Sequence, residues 1–380
     1  MSSFLNKEVE SLPTPCCVVD LQQVKKNCSK IQKIARSFDC TLRPHVKTHK
    51  CPDIAIHQTG PAKTSIVVST FAEARGFLEQ GFRDVLIGLP LSVDKIPYYS
   101  SLRKTYPESD LHCLIDNFEI INHISSNDFS CYLKVNCDNG RAGVLWNSQT
   151  GVKLAKLLHG KGVLKGFYAH CGNSYGSDGD RSFILKVAKE TAEKILKFKE
   201  STGLNIPVGI GSTPSCSITD VKNCEILSKI DELHPGNYVF YDVMQHSIGS
   251  CELEEIACKI MTRVISVQPE NDYVIVDCGF TAISKQGIGS EKLSHNDSAG
   301  ESINYVRVYG SNEVVDLKLS SVSQEHGIVR GQGIKKLKVG DLLEILPWHS
   351  CVVSSLHEFL FCHEGDGKIS ELHSPIRGWI

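Results

Sequence analysis

A (β/α)8 TIM-type barrel followed by an all-β domain is the fold class this sequence predicts. Two observations lead there. From about residue 15 to 241, short β-branched runs alternate with longer amphipathic stretches. After about residue 251 only short alternating runs remain, separated by Gly, Asn, Asp and Ser clusters. Repeated β-then-α units imply a parallel sheet, and this many of them favour a closed barrel over an open one. Strictly alternating runs bounded by turn residues imply a β-rich domain.

In the first part, strands are expected at 16–20, 41–47, 65–70, 84–89, 111–116, 132–136, 163–170, 207–211 and 232–241. Helices are expected at 21–37, 71–79, 117–125, 150–159 and 181–201; in the last, Phe183, Val187, Ile195 and Phe198 recur at helical intervals. The second part predicts strands at 256–267, 273–278, 303–308, 314–319, 327–329, 342–346 and 352–360. The expected boundaries are therefore residues 12–250 for the barrel and 251–380 for the β-rich domain, with residues 1–11 packing on the latter.

Composition narrows the function. The chain has 380 residues, 41% of them apolar, with 41 basic and 43 acidic side chains and a net charge of -2. That balance offers no nucleic-acid or anionic-membrane footprint. The first residues lack the apolar core of a secretory signal and no window resembles a spanning helix, so a cytoplasmic protein is expected. Sixteen scattered cysteines form no Cys-x-x-Cys pair, which suits reduced core thiols better than a disulfide framework.

The most informative stretch is Arg43-Pro44-His45-Val46-Lys47-Thr48-His49-Lys50. If it stays extended, Arg43, His45, Lys47 and His49 share one face. A lysine crowded by cations is pushed towards its neutral, nucleophilic form, which a Schiff base requires. A solvated basic strand edge is the competing reading. In a barrel, chemistry gathers at the carboxyl ends of the strands. Lys47 falls at one such end. Gly211-Ser212-Thr213-Pro214-Ser215 and His234-Pro235-Gly236-Asn237-Tyr238 fall at others, and their small residues and N–H groups suit either a phosphate or an ordinary loop. A lysine with a late-strand phosphate cup points to pyridoxal 5'-phosphate. Pro347-Trp348-His349-Ser350-Cys351 contains a His-x-Cys pair whose side chains would point the same way on a strand. Both are good Zn2+ ligands, although a buried histidine beside a core cysteine reads equally from the residues.

Taken in order, Thr14-Pro15-Cys16-Cys17-Val18-Val19-Asp20, Arg43 to His49, Gly211 to Pro214, Pro235 to Asp242, Glu325-His326-Gly327 and His349-Ser350-Cys351 resemble the eukaryotic D-serine dehydratases. These are fold-type III enzymes related to D-threonine aldolases and, more distantly, to alanine racemases. The resemblance implies that Lys47 carries pyridoxal phosphate as a Schiff base, with the phosphate around Gly211, Ser212, Thr213, Gly236 and Asn237. It places Tyr175 beside the pyridine nitrogen and makes His349 and Cys351 the zinc ligands. It further implies a homodimer acting on a small D-amino acid. The sister aldolases typically present an aspartate where Cys351 stands. Asn173 and Trp348 depart from the pattern, replacing a common histidine and a common asparagine.

The implied reaction converts D-serine to pyruvate and ammonia: Lys47 takes the α-proton and zinc assists departure of the hydroxyl. Arg141 either faces the cofactor or substrate carboxylate or is an exposed salt-bridging residue. His326 either approaches the metal or is a structural turn histidine. The alternatives are aldol cleavage of β-hydroxy D-amino acids, a racemase needing a second base, and a pyridoxal phosphate-binding protein without turnover.

Overall fold

Runs such as Ile66-Val67-Val68 and Val85-Leu86-Ile87 have no polar face, as expected of strands covered on both sides. They lie in a parallel sheet. In the structure, a computed structural model that describes residues 2–124, 129–217, 224–288, 305–311 and 316–380, the chain divides into two units. One comprises Cys28–Tyr238, Ile248–Ser250 and Ile376–Ile380; the other comprises Met1–Asn27, Val239–Ser247 and Cys251–Pro375.

In the first unit the sheet runs Thr41–Leu42, Glu232–Leu233, Val208–Gly211, Leu164–His170, Ser130–Asn136, Asp110–Ile115, Asp84–Pro90, Ile66–Val68, every neighbour parallel. Val144–Leu145 adds to Ser130–Asn136. Ile66–Val68 then reaches the chain beyond the first of these strands. His45 and Val67 form one parallel bridge, and the Val67 N–H donates to the Pro44 carbonyl at 2.9 Å. This corrects the expected closed (β/α)8 barrel to a partly closed one, because Thr41–Leu42 is too short to pair fully on both sides.

Helices occupy Leu21–Ser37, Phe71–Glu79, Gln149–Gly160 and Arg181–Thr202, where periodicity predicts them. Their ends follow local chemistry. The Thr70 hydroxyl accepts from the Glu73 N–H at 3.1 Å, and the Asp180 carboxylate accepts from the Ser182 N–H at 2.8 Å. Gly203, at φ 68°, ends the longest helix in the left-handed region. In place of the helix expected at 117–125, the described residues form only the 3-10 turn Glu119–His123; residue 125 lies outside them. Among the described residues no helix is long and apolar enough to cross a membrane.

The barrel interior holds Val67, Leu86, Leu114, Tyr132 and Tyr168. Beside them lies a buried ion network. Arg43 forks to Glu232 at 3.1 and 3.2 Å, donates to the Tyr132 hydroxyl at 3.2 Å and to Asp84 at 3.0 Å. His112 reaches the same Asp84 at 3.1 Å. The Tyr168 and His234 rings stack 4.4 Å apart, and a Cβ at Gly209 would lie 2.0 Å from the His234 Nε2. Only a glycine leaves room for that imidazole.

The second unit corrects the expected all-β domain to a mixed one. Its sheet runs Lys318–Val322, Gly327–Arg330, Tyr273–Val276, Cys258–Gln268, Cys16–Asp20, Leu360–His363, Ile369–His373, with Leu342–Ile345 also paired to Cys258–Gln268 and Val306–Val308 paired to Leu342–Ile345. Cys16–Asp20, expected to open the barrel, lies here, antiparallel to Cys258–Gln268 and parallel to Leu360–His363. Its Cys-Cys-Val-Val run is buried throughout and needs a neighbour on each side. Phe280–Ile283 and Ser350–Leu356 are short helices, the latter where the sequence predicts a strand over 352–360. Of the strands expected at 303–308 and 314–319, residues 303–304 and 314–315 lie outside the described residues. The core here includes Val18, Met261, Phe361 and Ile369.

Burial opposes the Asp84 charge, but the hydrogen bonds from His112 and Arg43 outweigh it and hold that carboxyl well below its ordinary range. Its stabilisation is fully present above the unfolded carboxylate value, about 3.9, and is lost as pH falls below it towards the lowered folded value. Asp84→Asn should therefore cost roughly 3 kcal/mol at pH 7, with the deficit narrowing below about pH 4. Urea unfolding of both proteins across pH measures this; a deficit that stays constant with pH would exclude the carboxylate's charge as its source.

Candidate functional site

Four neighbouring strands of the parallel sheet deliver the barrel-side candidates at their carboxyl ends. Leu164–His170 leads into the 3-10 turn Gly172–Gly176, which carries Tyr175. Val208–Gly211 leads into Ser212 and Thr213, Glu232–Leu233 into Gly236 and Asn237, and Thr41–Leu42 into Lys47. Because these strands are adjacent and parallel, residues far apart in sequence open at one mouth.

The lysine segment does not stay extended. Its strand pairing ends at His45, whose Nδ1 accepts from the Lys47 N–H at 3.4 Å and caps the 3-10 turn Val46–Thr48. The four basic residues therefore do not share a face. Arg43 is buried in the ion network, His49 is buried against Gln58 at 2.9 Å, and Lys47 is exposed at the turn.

Gly211, Ser212, Thr213, Gly236 and Asn237 are all buried. A Cβ at Gly236 would lie 2.8 Å from the His45 carbonyl oxygen, and one at Gly211 would lie 2.8 Å from the His234 backbone, so both turns press against neighbouring chain. The Gly236 N–H donates to the Thr213 hydroxyl at 3.3 Å, and the Ser212 and Ser215 N–H groups bond each other's hydroxyls at 3.2 and 3.3 Å. Those are long bonds for amide donors, which an anion of phosphate size can replace.

The charges at the mouth point the same way. Removal from water, followed by the charges of Lys134, Arg141 and Lys47, pushes His170 down to about 3. His45 lies well below its ordinary value, first through burial and then through Lys47. Two neutral imidazoles thus stand beside Lys47, Arg141 and a partly charged Lys134, a balance that fits an anionic cofactor. Tyr175 is 37% exposed, its ring 6.4 Å from that of His170. Arg141 is exposed, its N–H bonded to the Asn139 side chain at 3.2 Å. Asn173 donates to the Asp138 carbonyl at 3.1 Å.

Sequence reasoning misses Lys134 and does not single out His170. Lys134 is buried, 4.2 Å above the Tyr168 ring centroid, and burial followed by the Arg141 charge brings it to about 7. A lysine inside Cys-Tyr-Leu-Lys-Val, where its neighbours are apolar, is the signal that was available.

In the other unit, His349 and Cys351 do not sit on a strand. His349, in extended conformation, caps the helix Ser350–Leu356, so the i, i+2 rule for strands does not place the two side chains together. The cause is Asp242, fully buried, whose carboxylate accepts from the Ser350 N–H at 2.9 Å and the Ser350 hydroxyl at 3.2 Å. Among the described residues fourteen cysteines are buried, whereas Cys40 and Cys351 are more open. The His349 Nδ1 lies 3.1 Å from the Gln286 Oε1. Among the described residues no cluster of three or more His, Cys, Asp or Glu is arranged to hold a metal. Imidazole and thiolate as a pair suit zinc only where water or substrate fills the remaining positions. His326 is exposed in the turn joining Lys318–Val322 to Gly327–Arg330.

Similarity to known proteins extends over nearly the whole chain. The alanine racemase, N-terminal domain family matches residues 19–241, and a putative serine dehydratase domain matches residues 257–363. A D-serine dehydratase from Dictyostelium discoideum is 29% identical over 405 residues, covering 98% of this chain and 99% of that protein. A D-threo-3-hydroxyaspartate dehydratase from Delftia sp. (strain HT23) is 28% identical, covering 97% and 98%. The solved structure of the Delftia enzyme aligns with a TM-score of 0.86 at 25% identity over 98% of this chain and all of that one. Its histidine-to-alanine variant and its metal-free cysteine-to-alanine variant, altered two positions apart, align at 0.87 and 0.85.

His170 should remain uncharged from pH 8 to pH 5, read from imidazole 15N shifts assigned with His170→Gln. Because the unfolded ring titrates near 6.5, the stability tied to the neutral ring is lost as pH falls below about 6.5. An imidazolium signal at pH 6 would contradict the electrostatic picture of the mouth.

Proposed function

We propose that this chain, which belongs to the fold-type III, alanine racemase-like family of pyridoxal phosphate enzymes, is a zinc-assisted D-serine dehydratase releasing pyruvate and ammonia. The observation that carries the reading is an exposed lysine, Lys47, at a mouth lined by two neutral imidazoles and, on adjacent strand ends, by hydroxyls and buried glycine turns.

Bound at that mouth, pyridoxal phosphate supplies an electron sink for a developing carbanion. The Lys47 Nζ would anchor it and would serve as the amine base for the α-proton. Gly211, Ser212, Thr213, Gly236 and Asn237 hold the phosphate with amides and hydroxyls. The Tyr175 hydroxyl would offer the pyridine ring a neutral hydrogen-bonding partner. Arg141 binds the substrate carboxylate. A zinc ion on His349 and Cys351 supplies Lewis-acid help to a hydroxyl that leaves poorly on its own. The Delftia variants, altered at a histidine and a cysteine two positions apart, the latter metal-free, support this pairing. His326 lends a further imidazole on the metal's side, and the active form is a homodimer.

A second reading has its own support. The hydroxyaspartate dehydratase matches almost as well as the D-serine enzyme, so the β-substituent accepted at the site is open to a carboxylate.

The test supplies purified protein with D-serine, D-threo-3-hydroxyaspartate and D-threonine, with and without a chelator. Pyruvate from D-serine, lost on chelation and restored by zinc, is expected. Oxaloacetate as the main product supports the second reading, and glycine with an aldehyde overturns both. Lys47→Ala should lose the bound cofactor and on the order of 10²- to 10⁴-fold in turnover. Cys351→Ala should keep the cofactor absorbance while losing zinc and roughly 10²-fold in rate.

A further inference from the structure

We propose that Gln286 is a positioning residue that fixes the tautomer and aim of the His349 ring for a divalent cation. The inference rests on the zinc reading above and assigns a part to a residue outside the His-x-Cys motif. The Gln286 Oε1 lies 3.1 Å from the His349 Nδ1. An amide oxygen only accepts, so the imidazole proton sits on Nδ1 and the lone pair is left on Nε2. A histidine that donates one ring N–H to an oxygen presents a more basic and better oriented nitrogen to a metal.

Two independent contacts place Gln286 there. Its own N–H donates to the Ser284 hydroxyl at 3.1 Å, fixing the backbone entering the turn. The next residue, Gly287, lies against the Trp348 indole so closely that a Cβ would sit 2.4 Å from the ring, and its φ of +76° is in the region that favours glycine. The Trp348 segment is itself held, because the Val243 and Met244 N–H groups donate to the Pro347 and Trp348 carbonyls at 3.0 and 3.1 Å. Asp242 then binds Ser350. The turn bearing Gln286 and the turn bearing His349 are thus clamped through one indole face. That gives the unexpected Trp348 a purpose: it seats the residue that orients its neighbour.

The experiment measures zinc affinity on the purified, pyridoxal phosphate-loaded protein by competition with a chromophoric chelator, with cofactor absorbance recorded as a control. Gln286→Leu should weaken zinc about 10- to 100-fold with cofactor content unchanged, whereas Gln286→Glu, which keeps an acceptor, should stay within about threefold of the parent. Gly287→Ala should weaken zinc as Gln286→Leu does, by displacing the turn from the indole. Parental affinity in Gln286→Leu, or equal loss in Gln286→Leu and Gln286→Glu, overturns the positioning role while leaving the zinc reading intact. A parent that binds no zinc but keeps its cofactor overturns the zinc reading and this inference together.

Discussion

Arg43 carries the constraint on which the barrel unit depends. Its guanidinium is buried and must be neutralised by groups from several strands at once. Asp84 opens one strand, Glu232 another, and Tyr132 lies in a third, so a single cation fixes their mutual register. Hydrophobic contacts tolerate sliding; a planar fork bonded to two carboxylates does not. Lys47 follows four positions later and inherits that placement. The residue offered for chemistry stands at the end of a segment whose start is locked.

Above that network the electrostatics change character. In the network Arg43 is bonded to Glu232 and Asp84; at the mouth His45 and His170 are held neutral by burial and by the neighbouring cations. Neutral imidazoles beside an amine cannot repel an incoming cationic substrate and can still donate or accept a proton. Lys134 adds a buried amine close to neutrality, stacked on a tyrosine rather than paired with an acid.

Much of this was legible in the residues. Helices Leu21–Ser37, Phe71–Glu79, Gln149–Gly160 and Arg181–Thr202 followed from spacing, whereas Pro52–Thr59 and Ile96–Thr105 did not. Gly211 to Thr213 and Gly236 to Asn237 stand at adjacent strand ends as a barrel requires. What misled was information held at a distance. Cys16–Asp20 reads as a strand, but nothing local says which sheet it joins; that depends on Cys258–Gln268 and Leu360–His363. Val352 and Val353 read as β-formers, yet Asp242, over a hundred positions away, caps a helix there. The extended reading of residues 43–49 failed because the His45 ring turns back on its own backbone. Lys134 escaped notice because a lysine is ordinarily a surface residue, and only the sheet order shows its walls.

The placement of Cys16–Asp20 also bears on how the chain is made. This strand is synthesised long before its neighbour, because residue 17 lies beside residue 360 in the finished sheet. The nascent segment must therefore wait, with its cysteine- and valine-rich edges unsatisfied, until Cys258–Gln268 and Leu360–His363 have been made. A product stalled or released between those points would carry an open sheet edge prone to the wrong companions.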